Sequence, residues 1–309
     1  MDLDLSSDQR MLLSAIEPLL AQHRQLPQPA APDYVVVGGD LDAALDAAGF
    51  YGDADGFDLE RADAALLLDQ IAQCPFAVPA MASLTVAPAL GIALPRPIAL
   101  AESLDPRVPI RFLAQSRTLL VAQGEQVLAL DLEGAEIVPQ DTIFAYPFAR
   151  LASYPADALR PLAGVNAQQL RDGWALGLTF EILGALRAAH ALTVDYVKQR
   201  HQFKRAIGAF QAVQHRLAEG ATHIEALHYL AHRAAIGGDS AEIALATSYA
   251  QQHVPQIVYD CHQFHGAMGL TLEYVLHHWT YKLKALAGEL GGASVQGRRA
   301  AQLQWSEAA

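Results

Sequence analysis

Beyond about residue 160 the chain is written almost wholly in helical period, and nothing else in it limits the fold so strongly. Asn166 can cap a helix running to about His201, and a second runs from about Phe210 to Ile236. Asp239 or Ser240 starts a third that reaches about His265, with Pro255 as an internal kink. A fourth spans about Leu272 to Leu290. Long helices with short connectors predict an antiparallel four-helix bundle.

The text before the bundle changes period. Residues 1–95 read as helical. Ser6 or Ser7 can cap a helix through MLLSAIEPLLAQH, where Leu12, Leu13, Ile16, Leu19 and Leu20 recur at helical spacing and Pro18 marks a kink. Proline-rich QLPQPAAPD breaks that helix. LDAALDAAGF is a short helix ending at Gly49, and LERADAALLLDQIAQ is another, stopped by Cys74-Pro75. Alanine-rich text continues to about Leu94. Residues 96–155 carry the short apolar runs RFLA, RTLLVAQ, QVLALDL and AEIVP, separated by turn formers at Gly124-Glu125 and Glu133-Gly134. That is strand-and-hairpin spacing, and so few strands make a small sheet that needs a neighbour to cover it. The fold expected is mostly α with a small β-domain: a helical domain at 1–95, a middle β-domain at 96–155 and a helical bundle at 156–309.

Composition narrows the partners. A chain of 309 residues with 52% hydrophobic and 17% charged side chains is globular, and a formal charge of −12 argues against a general nucleic-acid binder. No uninterrupted apolar run is long enough to span a membrane, and the acidic start MDLDLSSDQR is unlike a secretory signal, so a cytoplasmic protein is expected. Cys74 and Cys261 share no ligand spacing and are expected to be reduced thiols. The 12 histidines form no ordered ligand set with carboxylates, so no metal site is expected. Gly38-Gly39 after Val35-Val36-Val37 is no dinucleotide fingerprint. Glu181, inside an apolar helix, reads as half of an interhelical hydrogen bond or ion pair.

Two stretches of the bundle are more specific. In Tyr196-Val-Lys-Gln-Arg-His-Gln-Phe-Lys-Arg-Ala-Ile-Gly-Ala-Phe-Gln-Ala-Val-Gln-His-Arg-Leu217, the cations Lys198, Arg200, Lys204 and Arg205 stand together in an acidic protein. They fall between the end of one helix and the start of the next. An arginine fork beside helix N-terminal N–H groups suits a diphosphate, and Phe203 could stack on an adenine. On the residues alone, a simple complement to a helix C-terminus is the stronger reading. The second stretch is Gln263-Phe-His-Gly-Ala-Met-Gly-Leu-Thr-Leu-Glu-Tyr-Val-Leu276, whose glycines permit close backbone approach and whose Gln263 offers an amide, or which is a plain helix C-cap. Taken together, in this order and separation, the two resemble the C-terminal signatures of the acyl-CoA dehydrogenase family. LLLDQIAQCPFAVPAMASLTVA resembles the family's N-terminal helix and loop more loosely. The resemblance implies the family's fold, with the middle β-domain reduced. It also implies that Arg200, Phe203 and Gln211 grip the diphosphate and adenosine of an FAD held by an adjacent subunit. Gln263, Gly266, Ala267 and Gly269 would touch the same FAD, with Ala267 standing where the family has a glycine.

The family desaturates an acyl-CoA between Cα and Cβ: a glutamate removes the α-proton and the flavin takes the hydride. Two positions are used for that glutamate. Counted from Gly269, one is Leu290, and the other, early in the first bundle helix, is Trp174. Glu289 is adjacent to Leu290 and expected to point elsewhere. The Thr/Ser-rich segment and tryptophan that surround the family's flavin ring have no match in 96–155, since Trp174, Trp279 and Trp305 all lie in the bundle. The implied protein is thus a subunit without a base of its own. It would lend FAD contacts to a catalytic acyl-CoA dehydrogenase paralogue in a heterotetramer, on a bulky or steroid side-chain CoA thioester. An electron-transferring flavoprotein is a candidate further partner, and no nucleic acid or membrane is involved. Two alternatives stay open: an autonomous homomeric dehydrogenase using Glu289, and a flavin-free interaction protein on a decayed fold.

Overall fold

The computed structural model describes residues 5–24, 34–52 and 59–305, so the proline-rich break at 25–33 lies outside the described residues. Helix α1 (Ser7–Gln22) starts with a reciprocal cap: Ser6 Oγ accepts from the Gln9 amide and the Gln9 side chain accepts from the Ser6 N–H. Its Ile16 and Leu20 are buried against α2 (Gly39–Ala47) and α3 (Arg61–Ala72). One π-helical turn (Ala82–Val86) leads into α4 (Ala87–Leu90), which Gly91 ends in the left-handed conformation.

The middle domain holds two small sheets. One has the order β1 (Ile98–Ala101), β3 (Thr118–Gln123), β4 (Gln126–Asp131), β7 (Leu159–Pro161). The other is β2 (Ile110–Arg111), β6 (Phe148–Ser153), β5 (Glu136–Gln140). β1 runs parallel to β3 and the other pairings are antiparallel. The β3–β4 hairpin turns at Gly124, φ 61°, as its register Gln123↔Gln126 requires. Alternation along β3 divides the core. Leu119 and Val121 face the second sheet's Ile110, Ala149 and Leu151, whereas Leu120 and Ala122 join the large core shared with the helices. The bundle is the neighbour that covers this sheet. β1, β6 and β7 were not anticipated, and β7 lies past the expected boundary at 155. Leu159-Arg-Pro161 is too short to show a period.

Helix α5 (Ala167–Gln199) is the bundle's centre, begun by an Asn166/Gln169 capping box. It is long and apolar enough to cross a membrane by length and composition, but most of that apolar length is buried inside the protein. Gly173 and Gly184 let it approach the N-terminal domain: a Cβ at Gly173 would sit 2.6 Å from the Thr85 carbonyl oxygen, and one at Gly184 would overlap the Asp69 carbonyl. A short hairpin, β8 (His201–Gln202) and β9 (Arg205–Ala206), leads to α6 (Gln211–Gly237). α7 (Ser240–His265) begins at Asp239, which accepts from the Glu242 amide, and contains Pro255.

The expected fourth helix is corrected. Residues 272–290 are not one helix, because α8 covers only His277–Leu286. Leu290, Gly291 and Gly292 then take φ of 51°, 79° and 74°, which no α-helix accommodates. The chain turns there and makes a fifth bundle helix, α9 (Gly292–Trp305), packed along α7.

Candidate functional site

The two sequence signatures meet at one end of the bundle. α5 and α7 run side by side in the same direction, so both C-termini emerge together. The Tyr196 ring stacks on His265 at 4.3 Å, and its hydroxyl reaches the His265 carbonyl at 3.4 Å. Arg200 caps α5 and is exposed, and among the described residues its side chain has no hydrogen-bond or ion-pair partner. Its carbonyl accepts from the Ile207 amide at 2.8 Å, which closes the hairpin. Phe203 and Lys204 form the hairpin tip with φ of 54° and 68°, leaving Phe203 83% exposed. The Arg205 guanidinium lies 3.9 Å over the Phe210 ring. Gln211 opens α6, and no side chain caps that helix, so its first N–H groups are available to an anion.

Gln263, Gly266 and Ala267 are exposed on the neighbouring end of α7. Gly266 has φ 58° and starts a single 3-10 turn, Gly266–Leu270. Gly269 differs from the rest because it is buried, and a Cβ there would meet His265 Cβ at 2.8 Å. Its glycine is required by packing, which leaves Arg200, Phe203, Gln211, Gln263, Gly266 and Ala267 facing outward. This edge suits the diphosphate end of FAD: an unpaired guanidinium, a bare helix N-terminus and a free aromatic face sit on one exposed surface.

A second place gathers the remaining singled-out residues. A cavity of about 620 Å³ lies between the β-domain and the bundle. Trp174 from α5 and Leu290 from the turn before α9 both line it, although they lie far apart along the chain. The two positions expected from the resemblance to be the family's alternative base sites therefore share one cavity, and both are buried. Contrary to expectation, Glu289 also lines it. The left-handed Leu290 makes residues 289–291 a tight 3-10 turn, and that turn brings both side chains to the same wall.

Glu289 is held on both oxygens. Trp174 Nε1 donates to Oε2 at 3.0 Å, and Arg111 Nε lies 2.8 Å from Oε1 in an ion pair. Arg111, in β2, also donates through Nη1 to Glu181 at 2.8 and 3.1 Å, and its guanidinium lies 4.5 Å from the centroid of Tyr146. Burial pushes the Glu181 carboxyl up, and Arg111 works against that shift. Burial, then Glu181, pushes the Tyr146 phenol up as well. The indole and the guanidinium fix this carboxylate in place against the cavity wall. Glu181 forms an ion pair, but with Arg111 on a strand of the β-domain and not between two helices as expected. Arg111 was missed. The available signal was an arginine inside the apolar run IRFLA, matched by an acid inside an apolar helix.

The cysteines are free and buried. Among the described residues no group of histidine, cysteine or acidic side chains is arranged to hold a metal.

Comparison with known proteins gives the family and the fold. Residues 174–302 match the family model described as the acyl-CoA dehydrogenase C-terminal domain. The acyl-CoA dehydrogenase IpdE2 of Mycolicibacterium smegmatis is 30% identical over 264 residues, covering 81% of this chain and 80% of its own. FadE34 of Mycobacterium tuberculosis is 31% identical over 197 residues, although these span only 27% of its length. In structure, the ChsE4-ChsE5 complex of M. tuberculosis superposes with a TM-score of 0.80 at 20% identity, covering 98% of both chains. The Tcur3481-Tcur3483 steroid ACAD superposes with a TM-score of 0.81 at 23% identity, covering 97% of this chain and 98% of the other. At these identities the two superpositions speak for the fold. The chain belongs to the acyl-CoA dehydrogenase family, whose members are FAD-dependent oxidoreductases.

Proposed function

We propose that this chain is the non-catalytic subunit of a heteromeric acyl-CoA dehydrogenase, and that it lends its bundle end to an FAD seated mainly in a catalytic paralogue. The observation that carries this reading is the cavity floor. Leucine and tryptophan occupy the two base positions, and the neighbouring carboxylate, Glu289, is pinned by Arg111 and Trp174. When bound, FAD supplies the hydride acceptor for α,β-desaturation of the acyl-CoA thioester. The α-proton must then be removed by the partner chain. This chain's share is positional. Arg200 and the α6 N-terminus hold the diphosphate, Phe203 covers the adenine, and Gln263 with the Gly266–Ala267 turn closes against the same cofactor.

Other features support the wider reading. One relative in structure is a complex of two differently named proteins and another is called a steroid ACAD, which favours a heterotetramer working on a bulky CoA thioester such as a steroid side chain. An electron-transferring flavoprotein is the electron acceptor we assign, in the cytoplasm.

The test is Arg200→Ala in the complex with the paralogue. A charge-assisted bond to a diphosphate contributes about one to two decades of affinity, so FAD should bind roughly ten- to a hundredfold more weakly while the thermal midpoint of the isolated chain is unchanged. Arg200→Lys should recover part of the loss, since an ammonium keeps the charge and loses the fork. An affinity within about twofold of wild type would make Arg200 a plain helix-end charge. Full flavin occupancy with turnover by the chain alone would overturn the subunit reading itself.

A further inference from the structure

We propose that Tyr196 and His265 are positioning residues: their stacked rings fix the Arg200 hairpin against the Gly266–Leu270 turn, a joint that rests on the shared-FAD reading and holds the two halves of that edge together. The two halves belong to different helix ends. Arg200 leaves α5, whereas Gln263, Gly266 and Ala267 stand at the end of α7, and all four are exposed. Among the described residues a single hydrogen bond joins residues 196–211 to residues 263–270, from the Tyr196 hydroxyl to the His265 carbonyl at 3.4 Å, and no ion pair does. A guanidinium on one segment and an amide on the other can grip one cofactor only if their separation is set, since a shift of about 1 Å is enough to spoil a directed contact.

His265 is held on three sides. It closes α7 and is buried. Its Nδ1 lies 2.7 Å from the Cys261 carbonyl, which can only accept, so Nδ1 carries the hydrogen. Burial pushes the His265 imidazole down, so near neutral pH it is uncharged and Nε2 accepts from the Tyr274 hydroxyl at 3.3 Å. The Tyr196 ring covers the imidazole at 4.3 Å, with 28° between the planes, and meets Tyr274 edge-on at 5.9 Å. Tyr196 in turn sets Arg200. Its carbonyl accepts from the Arg200 amide at 2.8 Å, and the Arg200 carbonyl accepts from Ile207 to close the hairpin. On the other side, Gly269 packs against His265 with no room for a Cβ, and His262 Nδ1 donates to the Gly269 carbonyl at 2.8 Å. The turn is thereby bound to the end of α7, and the Tyr196–His265 stack ties that end to α5.

Two measurements on Tyr196→Leu test the joint. Trypsin acting on the full chain without FAD should cut after Lys198, Arg200, Lys204 or Arg205 at least about threefold faster than in wild type, with cuts elsewhere unchanged, the size expected when one aromatic pair is lost. In the complex with the paralogue, FAD should bind about three- to tenfold more weakly. In an Arg200→Ala background the same substitution should cost no more than about twofold further, because the contact it positions is already gone. Tyr196→Phe keeps the stack and loses only a long hydrogen bond, so it should match wild type within about twofold in both measurements. Unchanged cleavage in the hairpin, or cleavage accelerated equally along the whole chain, would overturn the proposal. So would an FAD affinity that Tyr196→Leu leaves unchanged while Arg200→Ala weakens it, a loss equally large in the Arg200→Ala background, or a Tyr196→Phe chain as impaired as Tyr196→Leu. Unchanged FAD affinity in Arg200→Ala alone would instead remove the shared-FAD reading, and the cleavage result, which needs no flavin, would then decide the joint by itself.

Discussion

Replacing Arg111 with methionine should destabilise the protein by about 3–5 kcal/mol, because it strands two buried carboxylates. The side chains concerned retain 8% exposure at Arg111, 5% at Glu181 and 16% at Glu289, so water cannot take over the lost contacts. Methionine fills much of the volume, which separates the electrostatic loss from a packing loss. The pH dependence gives a second signature. Burial already raises the Glu181 carboxyl and Arg111 is the main group opposing it, so the variant's Glu181 must rise further. An acid whose folded pKa lies above its unfolded value contributes stability at low pH that is lost as pH rises through the folded pKa. Arg111→Met should therefore be penalised more at pH 8 than at pH 5. Urea unfolding at both pH values, followed by circular dichroism, measures this. Adding Glu181→Gln and Glu289→Gln to the variant should return most of the stability, since the uncompensated charges are then gone. A loss under about 1 kcal/mol, a loss independent of pH, or a triple variant no better than the single would refute the claim that this cluster clamps the β-domain to the bundle by charge.

Two other perturbations test the core. Burial raises the Asp69 carboxyl to about 6 despite its pairing with Arg187, so its ionisation opposes folding above that pH. The stability of wild type relative to Asp69→Asn should grow as pH falls from about 6 towards 4, by up to roughly 3 kcal/mol, and a flat difference would show that the carboxylate is not strained by burial. The comparison must be a difference because His232 and His278, held neutral by burial at about 3, lose stability over the same acid range. Gly184→Ala should cost about 1–3 kcal/mol in denaturant midpoints, because its methyl would enter the Asp69 carbonyl across the α3–α5 contact; an unchanged midpoint would show that the two helices separate freely.

The sequence by itself determined the bundle's first three helices, since the Asn166 and Asp239 caps and the apolar period act within a few residues of each other. It also determined the family, through the residues around Arg200 and Gly266. The chain turns near Leu290, where the fourth helix was expected to end, but the limits of that helix at His277 and Leu286 and the further helix α9 were illegible. Leu290 takes φ 51° just before Gly291-Gly292, and α9 beyond the turn packs along α7. Only the tertiary structure decided that Trp174, Glu289 and Leu290 share a cavity, and that Arg111 reaches Glu181 across 70 residues. No local pattern encodes such a meeting. A buried charge is tolerable only beside its counter-charge, and which strand and helix bring the two together depends on the packing of the whole domain.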